Sequence, residues 1–384
     1  MRCFRSMYDA RACSPMRRSC ILAAILIAKA SLASAAIASS AERAEIVDGA
    51  PALVKYIPGE ADKPLVVFIP GAGHLARIAY GGPGARDTDF LAYWLHRQGY
   101  GFLAISYPLG GTLTMTPAVP TFSITDWGRQ AAEITHDTVA TNHLDGHVIL
   151  LGWSMGGRIL EPYAEASLTA GLKLDLFVSL ASTPGFDHHS APPNVEVSAV
   201  GYARIPGAKG VMERELSYQD RLNGRVIIDP ESYERDYIGD TPVGLTGWGL
   251  KYTSKGFVED RWPDVNVALL YDFSRLPLTA ALYGDSPLDP IHALADRANW
   301  GFILTNVLLA KMRATVSPVE FTDEQWKAVS ELIAKAPSQL SAHVHGDHFF
   351  FIGENGARET AALIATMELR ADELLRDLSS GIHH

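Results

Sequence analysis

A serine flanked by glycines is the residue whose surroundings most invite chemistry in this chain. Gly152-Trp153-Ser154-Met155-Gly156 fits the spacing G-x-S-x-G, with the apolar run Val148-Ile149-Leu150-Leu151 just before it and helical spacing after Met155. At that spacing a serine can occupy a strained strand-to-helix turn, because small residues two before and two after let strand and helix pass closely. Such a turn exposes the hydroxyl for nucleophilic attack. The bland alternative is an inert serine in a glycine-rich turn, and the strand before it and helix after it argue against that. Two further runs hold residues of chemical interest. Pro70-Gly71-Ala72-Gly73-His74 closes an earlier apolar run, but as a phosphate-binding turn it lacks both G-x-G-x-x-G and a P-loop lysine. His343, His345 and His348 crowd into six residues and suggest a metal site. Their i, i+2, i+5 spacing on a loop has no Cys/His/carboxylate pair elsewhere to complete a coordination shell, so no metal is expected.

Elements able to position these residues alternate from Pro64 onward. Short apolar runs at Leu65–Ile69, Phe102–Ser106, Val148–Leu151, Leu176–Leu180 and Leu278–Tyr283 read as buried strands. Helical spacing falls at Phe90 to Gln98, after a cap at Thr125-Asp126 as far as about Asn142, and again over Ala293 to Met312, Thr322 to Ala336 and Arg358 to Leu375. Unbroken apolar strands alternating with helices imply a mostly parallel, doubly wound α/β sheet covered on both faces. Trp94, Trp127 and Trp326 fall on helical faces and are expected in the core. From about 185 to 275 the rhythm stops, and the stretch is rich in Gly, Pro and aromatics without clear strands. A structureless loop of that length is improbable in a compact domain, so an inserted cap or lid subdomain over the sheet's C-terminal edge is expected.

The chain has 384 residues with 33 Lys and Arg against 43 Asp and Glu, a balance of the wrong sign for gripping nucleic acid. All three cysteines, Cys3, Cys13 and Cys20, lie in the first twenty residues. Arg17-Arg18, an apolar run from Ile21 to Ile27 and the small residues Ser31 to Ala36 follow the order of a secretory signal peptide, with cleavage expected after Ala35. The run is short of the roughly 20 residues that span a bilayer, so no stable membrane insertion is expected after cleavage. The mature chain, residues 36–384, would carry 27 basic against 42 acidic residues and no cysteine. A periplasmic or secreted protein without disulfides or thiol catalysis is the expectation.

With the serine elbow set in this α/β pattern, the sequence resembles the α/β-hydrolase superfamily over roughly Pro64 to Leu375. The resemblance implies the chain order nucleophile, acid, histidine. Ser154 is then the nucleophile. The backbone N–H of Met155 and, from Pro70-Gly71-Ala72-Gly73, that of Ala72 are the implied oxyanion hole. The run Gly346-Asp347-His348-Phe349-Phe350 matches the family's histidine segment and selects His348 as general base, with His345 as the alternative. The family's acid follows the strand after the cap, here in Tyr283-Gly284-Asp285-Ser286-Pro287-Leu288-Asp289-Pro290-Ile291. Asp289 precedes Pro-Ile as that acid often does and is favoured, although the loop must be two residues longer than usual. Asp285 is the close alternative and Asp187 a distant one. The acid would orient the imidazole and stabilise its charged form.

Such a set can attack a carbonyl, stabilise the oxyanion and pass the acyl group to water without a cofactor. Hydrolysis of a small-molecule or polymeric carboxylic ester is the leading expectation. Lactones, thioesters, amides and β-diketones share its first steps, and a non-catalytic hydrolase-fold binding protein is the alternative from another class.

Overall fold

The strand Leu65–Ile69, buried at every position, is the axis of the molecule. In the computed structural model, which describes residues 41–111, 115–185, 191–262, 272–315 and 321–383, this strand has a parallel neighbour on each side. Val67 stands opposite Leu103 on one and Leu150 on the other. With both edges paired and both faces covered by helices, an all-apolar strand is the stable solution. The sheet contains β1 (Arg43–Val47), β2 (Ala50–Ile57), β3 (Leu65–Ile69), β4 (Gly101–Ser106), β5 (His147–Trp153), β6 (Lys173–Leu180), β11 (Leu278–Gly284) and β12 (Ser341–Val344). Their spatial order is β1-β2-β4-β3-β5-β6-β11-β12. β1 and β2 are antiparallel additions at one edge and the rest run parallel. The edge strand β1 leaves no mark in sequence because it is largely exposed and shows no apolar alternation, and the apolar run of β2 is broken by Pro51 and Lys55.

The helices are α1 (Leu91–Arg97), α2 (Ile124–Thr141), α3 (Leu160–Ala170), α6 (Arg297–Thr315), α7 (Asp323–Gln339) and α8 (Glu354–His383). On one side α2 packs against α3; elsewhere α6 packs on β11 and α8 packs against α1 and α7. Two expected starts are corrected. The cap of α2 is Ser123, not Thr125-Asp126: the Ser123 hydroxyl accepts the Asp126 N–H at 3.2 Å, and the Asp126 carboxylate accepts the Ser123 N–H at 3.0 Å. That reciprocal box fixes the helix start two residues earlier. After Ser154 the chain first forms a tighter 3₁₀ turn, Ser154–Ile159, and becomes α-helical only at Leu160. Trp127 is fully buried and Trp94 half-buried, whereas Trp326 is 50% exposed and not a core residue.

Between β6 and β11 the chain leaves the sheet. This excursion holds α4 (Ala208–Asn223), α5 (Pro230–Asp236) and two ribbons, β7/β8 (Glu196–Val197, Ala203–Arg204) and β9/β10 (Leu250–Thr253, Gly256–Glu259). Its strands are two to four residues long, too short to leave a period-two signal. Tyr202, Tyr233 and Tyr237 are buried, while Trp262 is 70% exposed. Residues 1–35 and Asp187 lie outside the described residues.

Candidate active site

In an open parallel sheet, ligands bind beyond the carboxyl ends of strands, where successive connections leave in opposite directions. Here that point is β3, because the chain passes from β3 to β4 on one side and then to β5 on the other. The end of β3 supplies Pro70–Gly73 and the end of β5 supplies Ser154. Ser154 has φ +53, a left-handed conformation that costs a side-chain-bearing residue free energy. The glycines around it have no room for anything larger. A Cβ on Gly152 would lie 2.7 Å from the Gly156 carbonyl oxygen, and one on Gly156 would lie 2.6 Å from that of Ile69. A Cβ on Gly71 would lie 2.6 Å from Ser154 Cβ, so the β3 turn presses directly against the serine.

The two candidate acids part company in the structure. Asp289, buried, places Oδ2 2.9 Å from His348 Nδ1. Asp285 lies instead 3.1 Å from Nδ1 of the exposed His345 and accepts the Gly346 N–H, so it pins the approach to the histidine loop. Burial works against charge on Asp289, but His348 and His292 hold its carboxyl well below the ordinary carboxylate range. Burial pushes His348 below the ordinary imidazole value despite the opposing pull of Asp289, so the ring rests neutral with a basic Nε2. Trp153 is fully buried and positions this loop: its indole N–H donates to the His348 carbonyl at 3.1 Å, and its ring lies 5.2 Å from the imidazole. Among the described residues the Ser154 hydroxyl makes no hydrogen bond, so contact between Ser154 and His348 is not closed here. Asp289, His292 and His348 bring donor atoms within 4.8 Å of one another, and the two Asp–His hydrogen bonds account for that closeness.

The backbone N–H groups of Ala72 and Met155 have no acceptor among the described residues. Around Ala72 everything else is tied down. Gly73 N–H donates to the hydroxyls of Tyr107 and Thr241, both at 2.8 Å, and Tyr107 donates to the Gly71 carbonyl. His74 Nδ1–H donates to the Ala72 carbonyl at 2.8 Å, and Tyr233 Oη lies 2.7 Å from Nε2. Burial depresses His74 to about 4, so its ring is neutral and Nε2 accepts the Tyr233 proton. Tyr233 sits on α5 and Thr241 just after it, so the excursion helps hold the β3 turn. The isolated bridges His74 to Ile238 and Gly110 to Asp240 reinforce the contact.

Sequence reasoning assigned no site role to four residues here: His74, Tyr233, Glu215 and His292. His292 had a signal, since it lies three residues after Asp289 where Pro290 opens a helical segment. Glu215 and Gln219 share a face of α4 at i, i+4, and Gln219 donates to Asp347 at 3.1 Å. Burial, then the Asp347 and Asp289 charges, raise Glu215 to about 8; burial also raises Asp347 to about 6.

A mostly parallel sheet in this strand order, with a strained serine elbow after β5 and a histidine loop after the last strand, defines the α/β-hydrolase fold. No family model and no curated protein sequence matches the chain. Solved structures similar to it include the thioesterase domain from the curacin biosynthetic pathway, at 14% identity over 86% of this chain and 99% of that one, with a TM-score of 0.40. A hyperthermophilic esterase from the archaeon Pyrobaculum calidifontis shows 14% identity over 89% and 90%, with a TM-score of 0.43. An arylesterase shows 13% over 87% and 85%, with a TM-score of 0.44. At such scores the likenesses carry no argument about the reaction.

Proposed function

We propose that the protein is a serine hydrolase of carboxylic esters. The observation that carries this reading is the buried Asp289–His348 pair, at 2.9 Å, brought to the sheet end that also holds the strained Ser154. In the mechanism, neutral His348 takes the Ser154 proton through Nε2 as Oγ attacks the ester carbonyl. Asp289 stabilises the resulting imidazolium. The N–H groups of Ala72 and Met155 receive the oxyanion. Collapse expels the alcohol, which takes its proton from His348, and a water deprotonated by the same ring then releases the acid. Closing the Ser154–His348 contact is left to substrate binding, since catalytic hydrogen bonds are often loose in free enzymes. Lactones, thioesters, amides and β-diketones meet the same groups, and the excursion between β6 and β11 selects among them.

A fluorophosphonate should label wild-type protein at Ser154 and leave Ser154→Ala unlabelled. On p-nitrophenyl esters of graded chain length, Ser154→Ala should lose about 10³-fold or more of the activity. An unlabelled wild type with no turnover on any acyl substrate would make the protein a non-catalytic binder. We further propose export, supported by the order of Arg17-Arg18, the apolar run and the small residues at 31–36. A mature N-terminus at Ala36 in the recovered protein is its test.

A further inference from the structure

Asp289 serves two histidines. His348 holds Oδ2, and His292, on the π-helical segment Ile291–Asp296, brings Nδ1 to 2.5 Å from Oδ1. The two imidazoles face each other with centroids 4.6 Å apart and planes at 33°. The partners of His292 bear on its charge. Nδ1 must donate to the Asp289 carboxylate, which only accepts. At the far side of the ring, Nε2 lies 3.4 Å from Thr183 Oγ1 and 3.6 Å from Asp296 Oδ2. Thr183 gives its one proton to Asp296 at 3.1 Å, so towards His292 its oxygen can only accept. Acceptors on both sides of the ring therefore suit an imidazole that carries both protons. The groups facing this ring are Asp289 from the loop after β11, Asp296 from its own segment, Glu215 from α4, and His348 from the loop after β12. Burial opposes charge on His292, yet the three acids carry its titration above the ordinary imidazole range.

Resting on the assignment of Ser154, Asp289 and His348 as the triad, we propose that His292 is a positioning residue that works as an imidazolium. It clamps Asp289 Oδ1 so that Oδ2 faces His348. Its positive charge also offsets part of the pull of Asp289 on the neighbouring ring. The base then stays neutral, and competent, to lower pH than a single Asp–His pair would allow.

Nitrogen-15 shifts of the histidine rings in wild-type protein test the charge without using activity: His292 should be doubly protonated at pH 7 while His348 is neutral. A neutral His292 at that pH overturns the proposal. In kinetics, His292→Ala should lower kcat about tenfold by loosening Asp289, and should move the acid limb of kcat/KM upward by about one pH unit. His292→Asn, whose amide nitrogen falls near the position of Nδ1 and can donate to Asp289, should recover part of kcat and none of the shift. A merely structural residue would leave the limb in place, so an unmoved or lowered limb in folded variants also overturns the proposal. If wild-type protein neither labels with fluorophosphonate nor turns over, the triad reading fails, while the ring-nitrogen measurement still reports on His292.

Discussion

The end of the sheet and the excursion above it hold the site by different physics. At the sheet end, position comes from close packing against glycine backbone: Gly152 on the backbone of Gly156, Gly156 on that of Ile69, and Gly71 against the Ser154 side chain. None of these contacts titrates. On the side of the excursion, position comes from buried polar groups, Tyr233 on His74, Thr241 on Gly73 and Gln219 on Asp347, with Glu215 alongside. These change with pH, because burial has moved the titrations of His74, Asp347 and Glu215. The difference teaches that Ser154 should keep its place across pH while its surroundings loosen at both extremes.

Exchanging the two Asp–His pairs puts the sharpest strain on this comparison. Asp289→Asn leaves a buried imidazole without its carboxylate and should cost about 10³- to 10⁴-fold in kcat. Asp285→Asn alters a pair whose histidine is exposed and should cost less than about tenfold. Steady-state kinetics on both variants, with melting curves to confirm folding, checks this. Equal losses would mean that the site does not depend on the buried pair.

A smaller effect is expected from Tyr233→Phe, which removes the proton donated to His74 from α5. A buried acceptor left alone costs about 1–3 kcal/mol, readable by urea unfolding. The β3 turn should loosen with it, lowering kcat about tenfold. The pH sign follows from His74, which folding holds at about 4 against an ordinary value near 6.5. Its contribution is fully present above pH 6.5 and is lost as pH falls through about 4, since the unfolded chain takes up a proton that the folded ring refuses. The penalty of Tyr233→Phe should therefore be fullest above pH 6.5, where the neutral Nε2 is the acceptor that the lost hydroxyl served. Unchanged stability and kcat would detach the excursion from the turn.

What could be read in sequence follows the same division. The strands β3 to β6 and β11 announce themselves because both of their faces are buried, and Ser154 because glycine spacing has a steric cause. The resemblance pointed to His348, and a Pro-Ile after Asp289 favoured that acid over Asp285. The excursion left little trace. Tyr233 and His74 are 159 positions apart and Gln219 and Asp347 128, and nothing local marks such pairs. Trp326 misled because helical spacing shows which residues share a face and not whether that face is covered.

The smallest expected effect singles out the acids of the excursion. Glu215 titrates at about 8 and Asp347 at about 6 in the folded chain, each raised by burial, with Glu215 also feeling the charge of Asp347 and Asp289. A raised carboxyl contributes stability below its unfolded value and loses it as pH climbs through the folded one. Glu215→Gln keeps the shape and removes the titration, so it should match wild type near pH 4 and outlast it increasingly above. A melting temperature higher by about 2 °C at pH 9, with no gain at pH 4, is the expected size, since a difference of about 1 kcal/mol moves a large domain by only a few degrees. The sheet end gives no comparable handle, because among the described residues the nearest neighbours of Gly152, Gly156 and Gly71 include no carboxyl. A gain of equal size at both pH values would show that Glu215 acts through packing, and that the excursion is held as the sheet end is.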